Sequence, residues 1–127
     1  MRDITDGTSN TIMIIERAAA NNVWRDGKFV TAGGPGVGTA GGGWADIVNG
    51  EFWFAGSLYD GTGSAGPCLI NCTNEDTRGA YSFHPGGIMT LVSDASVQFV
   101  SETASTAAFA RAICKQDGAP VGNLFSN

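Results

Sequence analysis

The stretch Tyr81-Ser-Phe-His-Pro-Gly-Gly-Ile-Met-Thr-Leu-Val-Ser-Asp-Ala-Ser-Val-Gln-Phe-Val100 decides the fold class of this chain. Residues 88–93 are rich in branched and apolar side chains that alternate between two faces, which predicts a strand. Residues 97–100 have the same character, so we expect an antiparallel partner strand, joined to the first through a tight turn at Asp94-Ala95. The stretch therefore predicts a β-hairpin.

The chain's one histidine, His84, precedes this hairpin, and Asp94 lies in its turn. A strand rises about 3.3 Å per residue, so His84 and Asp94 are expected at opposite ends of one strand, roughly 20 Å or more apart. That separation argues against a catalytic pair, which needs hydrogen-bond contact. We therefore predict that His84 fixes a turn shaped by Gly86 and Gly87, and that Asp94 caps the next turn through backbone amides.

The spacing of His84, nine residues and then Asp94 resembles the bacterial prepilin-type processing-associated H-X9-DG domain (domain of unknown function 1559), which is pseudopilin-like and has an old solute-binding-protein label. The stretch Asp3-Ile-Thr-Asp-Gly-Thr-Ser-Asn-Thr-Ile-Met-Ile-Ile-Glu16 is similar to the family's other motif, a turn that leads into an apolar strand ending in glutamate. The motif residues with an expected structural role in this second stretch are Asp6, Gly7, Asn10 and Glu16.

A third segment, Gly66-Pro-Cys-Leu-Ile-Asn-Cys-Thr-Asn74, is also similar to family sequence. One departure from the family pattern is Ala95, which replaces the glycine of the Asp-Gly turn. A two-residue hairpin turn requires a positive φ at this position, which costs alanine about 1 kcal/mol relative to glycine. The turn type is therefore expected to differ here.

The resemblance implies the C-terminal globular part of a pilin-like protein. Members of the family typically begin with a pilin-like leader and a long apolar helix, whereas residues 1–20 contain Arg2, Asp3, Asp6, Glu16 and Arg17 instead of the apolar run that a membrane span needs. We therefore expect residues 1–127 to form a single globular domain without the N-terminal helix. Loss of that helix would expose an apolar groove through which the chain self-associates.

Composition places the chain among turn-rich, mainly β proteins, since it has 19 glycines and 15% charged residues. The predicted fold is α+β: a mainly antiparallel sheet with long glycine-rich loops and one C-terminal helix, as in the globular head of a pseudopilin. A net charge of −5 with seven scattered basic residues excludes a basic stripe for a phosphate backbone, so no nucleic-acid partner is expected.

Local patterns place the other elements. A strand is predicted within residues 11–17, a hairpin at 23–25 and 28–31 around Asp26-Gly27, and a glycine-rich loop at 33–43. A helix is predicted over residues 104–116, with Ser101 or Thr103 as N-cap and Gly118 as its C-terminal stop. Residues 119–127 are expected to be a short extension or a poorly ordered end.

Three cysteines are present, at positions 68, 72 and 114. Cys68 and Cys72 are predicted to close a small disulfide ring, which export would favour. A zinc site with His84 as a third ligand is the rival interpretation, although structural zinc normally takes four ligands and this spacing matches no known finger. Cys114 is expected to be a buried small hydrophobe on the helix.

Candidate chemistry is sparse. Asp6 and Asn10 have short oxygen-bearing side chains suited to turn capping or, less favourably, to calcium, but no acidic loop spacing for that ion is present. Trp44 and Trp53 belong to an aromatic cluster expected in the core, with a stacking platform for a ligand as the alternative. No nucleophile, P-loop or paired carboxylate motif accompanies His84, so no enzyme activity, catalytic residue or cofactor is expected.

These observations and the resemblance predict a non-enzymatic, exported structural or assembly module at the periplasm or cell surface. Other pilin-like or secretion-system proteins are the expected partners, and the fragment itself is expected to make no membrane contact. The alternative is an extracellular domain that binds a carbohydrate or peptide through Trp44 and Trp53.

Overall fold

The computed structural model describes residues 3–19, 22–33, 54–75, 78–116, 118–119 and 121–125. The chain divides into two compact units: unit 1 comprises Met1–Glu16 with Gly86–Asn127, and unit 2 comprises Arg17–Pro85. The prediction of a single domain over residues 1–127 is not tested by this division.

Unit 1 is built on a three-stranded antiparallel sheet in the order β1-β4-β5. Its strands are β1 (Ile12–Ile15), β4 (Gly87–Val92) and β5 (Val97–Ser101). The hairpin of β4 and β5 is the one that the sequence predicts, and its strand boundaries lie within one residue of the predicted ones. Its buried face carries Ile88, Val92 and Val100, which are fully enclosed. Alternation of apolar residues in the sequence therefore corresponds to one buried face of the sheet.

The helix of unit 1, α1, spans Thr106–Ile113 and buries Phe109 and Ala112. The prediction of residues 104–116 is wrong at both ends. Ser105 is the N-cap and accepts a hydrogen bond from the Ala108 N–H. Ser101 is the last residue of β5, and its hydroxyl bonds that of Thr103 at 2.8 Å, so both side chains stabilise the turn before the helix.

The C-terminal end of α1 also differs from expectation. Cys114 is extended, with φ −78° and ψ 141°, so the helix ends at Ile113, well before Gly118. Cys114 is consequently exposed, and the prediction that it is buried on the helix is wrong. In the tail, Val121 and Leu124 are buried, so residues 121–125 pack onto the core.

Unit 2 contains the hairpin of β2 (Asn22–Arg25) and β3 (Lys28–Ala32), as predicted. Its turn residues Asp26 and Gly27 have φ values of 47° and 70°. Positive φ at both central positions is the geometry that matches the twist of a two-residue hairpin, and an aspartate-glycine pair accommodates it. The α+β class, with mainly antiparallel strands and one C-terminal helix in the described part of the chain, is confirmed.

The remainder of unit 2 is irregular backbone held by isolated bridges. Ser57 pairs with Cys68, Ile70 with Ala80, and Arg25 of β2 with Thr73. The buried apolar residues of this unit include Val23, Ile70, Ala80 and Tyr81. Because few strand ladders are present here, side chains must satisfy many of the buried backbone groups.

Gly86, just before β4, and Gly87, its first residue, are glycines for different reasons. Gly86 has a φ of 79°, and a Cβ there would meet nothing within 4 Å. Gly87 has no positive φ, but a Cβ there would overlap the carbonyl oxygen of Val100 and the ring of Phe99. Gly86 is thus the residue of this pair with a positive φ, whereas Gly87 is required by the close approach of β5.

These geometries predict unequal effects of the same substitution. Gly86→Ala should destabilise the protein by about 1 kcal/mol through backbone strain alone. Gly87→Ala should cost more, about 2–3 kcal/mol, because backbone atoms of the central sheet must move. Thermal unfolding of both variants measures the difference, and a Gly87→Ala protein as stable as Gly86→Ala would contradict this assignment.

Candidate functional site

The Asp6–Thr11 turn of unit 1 is closed by its own polar groups. Thr8–Asn10 form a short 3-10 helix that follows Gly7, whose φ is 96°. The Gly7 carbonyl accepts hydrogen bonds from the Asn10 N–H at 3.0 Å and the Thr11 hydroxyl at 3.1 Å. The Asn10 side-chain amide donates to the Asp6 carbonyl at 3.1 Å. Gly7 and Asn10 therefore shape the turn.

The carboxylate of Asp6 reaches away from this turn. One oxygen accepts the backbone N–H of Gly118 at 3.0 Å, and the hydroxyl of Thr5 lies 3.4 Å from the same oxygen. The Thr5 N–H donates to the carbonyl of Lys115 at 3.0 Å. The motif turn thus fixes the segment that follows α1, which is more than a hundred residues away in sequence.

The hairpin loop at Asp94 has three residues, so the predicted two-residue turn at Asp94-Ala95 is wrong. The Val92 carbonyl accepts the Ala95 N–H, and the Val92 N–H donates to the Ser96 carbonyl, both at 2.9 Å. Ala95 has a φ of 69°. A three-residue hairpin loop commonly ends in a left-handed residue, and Ala95 occupies that position in this loop.

Asp94 caps this loop and contacts the first motif. Its carboxylate accepts the Ser96 N–H at 2.9 Å. Hydrogen bonds from the Ser96 side chain and backbone, and from the Ser9 side chain, lower the pKa of this solvent-exposed carboxyl. The Ser93 N–H donates to the Thr11 carbonyl at 2.8 Å. The two motifs of unit 1, about 80 residues apart in sequence, therefore meet.

Glu16 extends the central ladder beyond the end of β1. One of its carboxylate oxygens accepts the backbone N–H of Met89, on β4, at 3.0 Å. β1 pairs with β4 as far as Ile15, opposite Thr90. The glutamate side chain thus replaces the backbone acceptor that another strand residue would have supplied.

A cleft of about 440 Å³ lies beside the junction of the two motifs. This volume falls within the range of small-molecule sites. Its lining is mainly apolar, with charged groups from one acidic and one basic residue; the lining residues are Asp3, Ile4, Thr11, Ile12, Met13, Ser93, Ile113 and Lys115. Such a lining offers mainly apolar surface to a ligand or a chain segment.

His84 belongs to unit 2 and is exposed. Its backbone N–H donates to the Ser82 hydroxyl at 3.0 Å. The nearby Ser82 N–H donates to the side-chain oxygen of Asn71 at 2.9 Å. The local backbone before the Pro-Gly-Gly turn is thus fixed by short polar side chains.

Cys68 and Cys72 form a disulfide with a Cα–Cα distance of 6.2 Å. Cys68 exchanges two backbone hydrogen bonds with Ser57, at 2.9 and 3.0 Å. The carbonyl of Cys72 accepts the N–H of Asp26, in the β2–β3 turn, at 3.0 Å. The ring therefore ties two loops of unit 2 to each other. The aromatic candidates Trp44 and Trp53 lie outside the described residues.

Asn74 is the important residue that the sequence interpretation missed. It is fully buried, and its side-chain amide donates to the carbonyls of Ala18 and Ala19, both at 3.1 Å, and of Asn22 at 2.8 Å. Its side-chain oxygen accepts the Trp24 N–H at 2.8 Å. The one indication in the sequence is its position at the end of the third family-like segment.

A family model described as a protein of unknown function (DUF1559), SBP_bac_10, matches residues 1–106. The chain belongs to this family. Neither a comparison with curated proteins nor one with solved structures found a significant match. In this DUF1559 protein the match includes both motifs of unit 1 and the disulfide, and it ends where α1 begins.

Two further observations concern the described part of this DUF1559 chain. No group of three or more His, Cys, Asp or Glu side chains there is arranged to hold a metal ion. No described helix is long and apolar enough to cross a membrane.

The depressed pKa of Asp94 predicts a pH dependence of stability. A carboxyl whose pKa is lower in the folded protein stabilises it above the unfolded-state pKa, and this stabilisation is lost as pH falls through the folded-state pKa. Asp94→Asn should therefore melt below wild type at pH 7, and the difference should shrink below about pH 4.

Melting temperatures of wild type and Asp94→Asn at neutral and acidic pH measure this effect. Asp3→Asn is the matched control, since the structure shows no hydrogen bond to that exposed carboxylate from the described residues. If the difference in melting temperature between wild type and Asp94→Asn stays constant from pH 7 to strongly acidic pH, the assignment is contradicted.

Proposed function

We propose that this chain is a non-enzymatic, exported structural or assembly module, similar to the head domain of a pseudopilin. In this proposal, the two motifs of unit 1 form the scaffold of that unit. The H-X9-DG resemblance then reflects a shared architecture. Family membership supplies the framework for this role, and the hydrogen-bond pattern of the motif residues supplies its main support.

The observation that carries the proposal is how unit 1 uses three carboxylates. Asp6, Glu16 and Asp94 each accept a backbone N–H, from Gly118, Met89 and Ser96. Each bond closes a loop or extends a strand. A general acid or base must instead direct its carboxyl group toward a reacting proton. The pattern supports an architectural role for these side chains and gives no support for catalysis.

Turn capping is also the better-supported role of the calcium candidates. The Asn10 amide donates to the Asp6 carbonyl, and the Asp6 carboxylate accepts a backbone N–H. A calcium site needs six to eight oxygen ligands that converge on one point. We therefore propose that the module works without a cofactor.

Export is supported by the disulfide between Cys68 and Cys72, since such bonds persist in oxidising compartments. We place the protein in the periplasm or at the cell surface, with pilin-like or secretion-system proteins as partners. The net charge of −5 disfavours nucleic acid. Thiol alkylation of fractionated cells tests this location: a cytosolic protein with both cysteines reduced would contradict it.

Substitutions at Glu16 distinguish a carboxylate that accepts a structural hydrogen bond from a carboxylate whose negative charge is itself required. Glu16→Ala leaves the Met89 N–H without its acceptor and should cost about 1–2 kcal/mol, or roughly 3–8 °C in melting temperature. Glu16→Gln keeps a side-chain oxygen that can accept the same N–H, so it should recover most of this loss. Parallel substitutions of Asp6 with alanine and asparagine should follow the same order.

Thermal unfolding measures this series, with Asp3→Ala as the control for loss of an exposed acidic residue, expected to stay within about 0.5 kcal/mol of wild type. If Glu16→Ala melts like wild type, the side chain is not a structural acceptor. If Glu16→Gln is as damaging as Glu16→Ala, the negative charge itself is required, and the proposal fails for this residue.

A further inference from the structure

The β1-β4-β5 sheet of unit 1 is apolar on both of its faces. Ile88, Val92 and Val100 lie on the enclosed face. Alternate residues of the same strands project from the opposite face, which we call the outer face. Five apolar side chains line it: Ile14 on β1, Met89 and Leu91 on β4, and Val97 and Phe99 on β5. In an antiparallel sheet with one solvated face, that face normally carries polar residues instead.

The outer face is continuous across the three strands. Ile14 pairs with Leu91, and Leu91 pairs with Val97, so these residues form a row from one edge strand to the other. Met89 and Phe99 pair with each other and form a second row. Side chains of directly opposite residues lie about 5 Å apart at Cβ, so the two rows make one apolar patch.

This patch is open to solvent. Ile14 and Val97, at its two edges, are 58% and 60% exposed, and Met89 and Phe99 are each 37% exposed. The sequence neighbours of all five patch residues belong to the described part of the chain. The exposed fractions correspond to roughly 400 Å² of apolar surface, a size at which a patch on a small protein is often an interaction site.

The margin of the outer face is acidic. Glu16 directly follows β1, Asp94 lies two positions after β4, and Glu102 directly follows β5. Because the strands are antiparallel, Glu16 and Glu102 lie at one end of the sheet and Asp94 lies at the other. The described basic residues of unit 1, Arg111 and Lys115, lie on α1 and shortly after it.

We propose that the outer face binds one amphipathic α-helix of a partner protein, with lysine or arginine residues beside its apolar stripe. An apolar sheet face is covered either by a helix or by a second sheet. Strands lie about 4.8 Å apart, so β1 to β5 span about 10 Å, which is the diameter of one helix. The six residues of β4 extend over about 20 Å, the length of about 13 helical residues.

Charge and area favour a basic helix over a second copy of the chain. Two copies packed face to face would bury only about 800 Å² in total, below the roughly 1,200 Å² of stable specific interfaces. Each copy would also bring an acidic margin and a net charge of −5. A basic helix covers the same apolar patch with opposite charge at the margin, which favours association.

This inference names a class of partner for the proposed assembly role and rests on that role. The patch is small, so the dissociation constant for one helix should lie at about 1–100 µM at low ionic strength. Binding should weaken as salt is added, because the charges at the margin are exposed and therefore screened.

Calorimetric titration of the full chain with two synthetic peptides tests the surface. Both are amphipathic peptides of about 16 residues, long enough to form a helix, with the same leucine stripe. They differ only in carrying lysine or glutamate beside that stripe. The lysine peptide should bind in the stated range, and the glutamate peptide at least about tenfold more weakly.

Substitutions at opposite edges of the sheet locate the binding site. Ile14→Lys and Val97→Lys should each weaken binding of the lysine peptide at least about tenfold, because one helix contacts all three strands. Val30→Lys is the matched control, since Val30 is 44% exposed on β3 of unit 2 and the substitution changes the charge equally. It should bind within about twofold of wild type, and melting temperatures close to wild type show that all three variants fold.

Equal binding of both peptides, binding of neither, or equal loss in all three variants would overturn the proposal. Analytical ultracentrifugation and sedimentation with phosphatidylcholine vesicles test the other occupants. A dimer that the two edge variants abolish would assign the outer face to a second copy, and vesicle binding that they abolish would assign it to a lipid surface. The melting series at Glu16 decides the architectural role separately, so failure of the peptide experiment leaves that result intact.

Discussion

The buried side chain of Asn74 is the contact on which unit 2 depends. An asparagine amide both donates and accepts, so one residue satisfies the three carbonyls of Ala18, Ala19 and Asn22 and the N–H of Trp24. The Ala19 carbonyl also accepts the Asn22 N–H at 2.9 Å, whereas each group that would lose its partner with this side chain and stay buried costs about 1–3 kcal/mol. The same residue therefore positions the start of β2, and with it the hairpin that carries β3.

In unit 1, carboxylates accept backbone N–H groups that the strand ladders do not pair. Glu16 accepts the Met89 N–H where β1 ends, Asp6 accepts the Gly118 N–H beyond α1, and Asp94 caps the loop between β4 and β5. A glycine-rich chain gains access to tight turns but loses the regular ladders that satisfy backbone groups. Short polar side chains at fixed positions compensate, which gives the motif residues Asp6, Glu16 and Asp94 of this DUF1559 chain a structural role.

The sequence predicts what is determined locally. The β2–β3 hairpin follows from Asp26-Gly27 between alternating residues, and the β4–β5 hairpin from the same kind of pattern. Features that depend on distant residues could not be predicted: Gly87 is required by Val100 and Phe99 of the neighbouring strand, and Asn74 by carbonyls some 50 residues earlier. The end of α1 at Ile113 was likewise missed, because helical residues continue in the sequence to Gln116.

The central claim is that side chains replace backbone acceptors at defined amides, and amide hydrogen exchange tests it most directly. The Trp24 N–H and Met89 N–H donate to the side chains of Asn74 and Glu16. Native-state exchange measured by NMR should show both amides protected at least about 100-fold relative to an unstructured chain. Exchange of these two amides at the unstructured rate, while neighbouring ladder amides remain protected, would contradict the account.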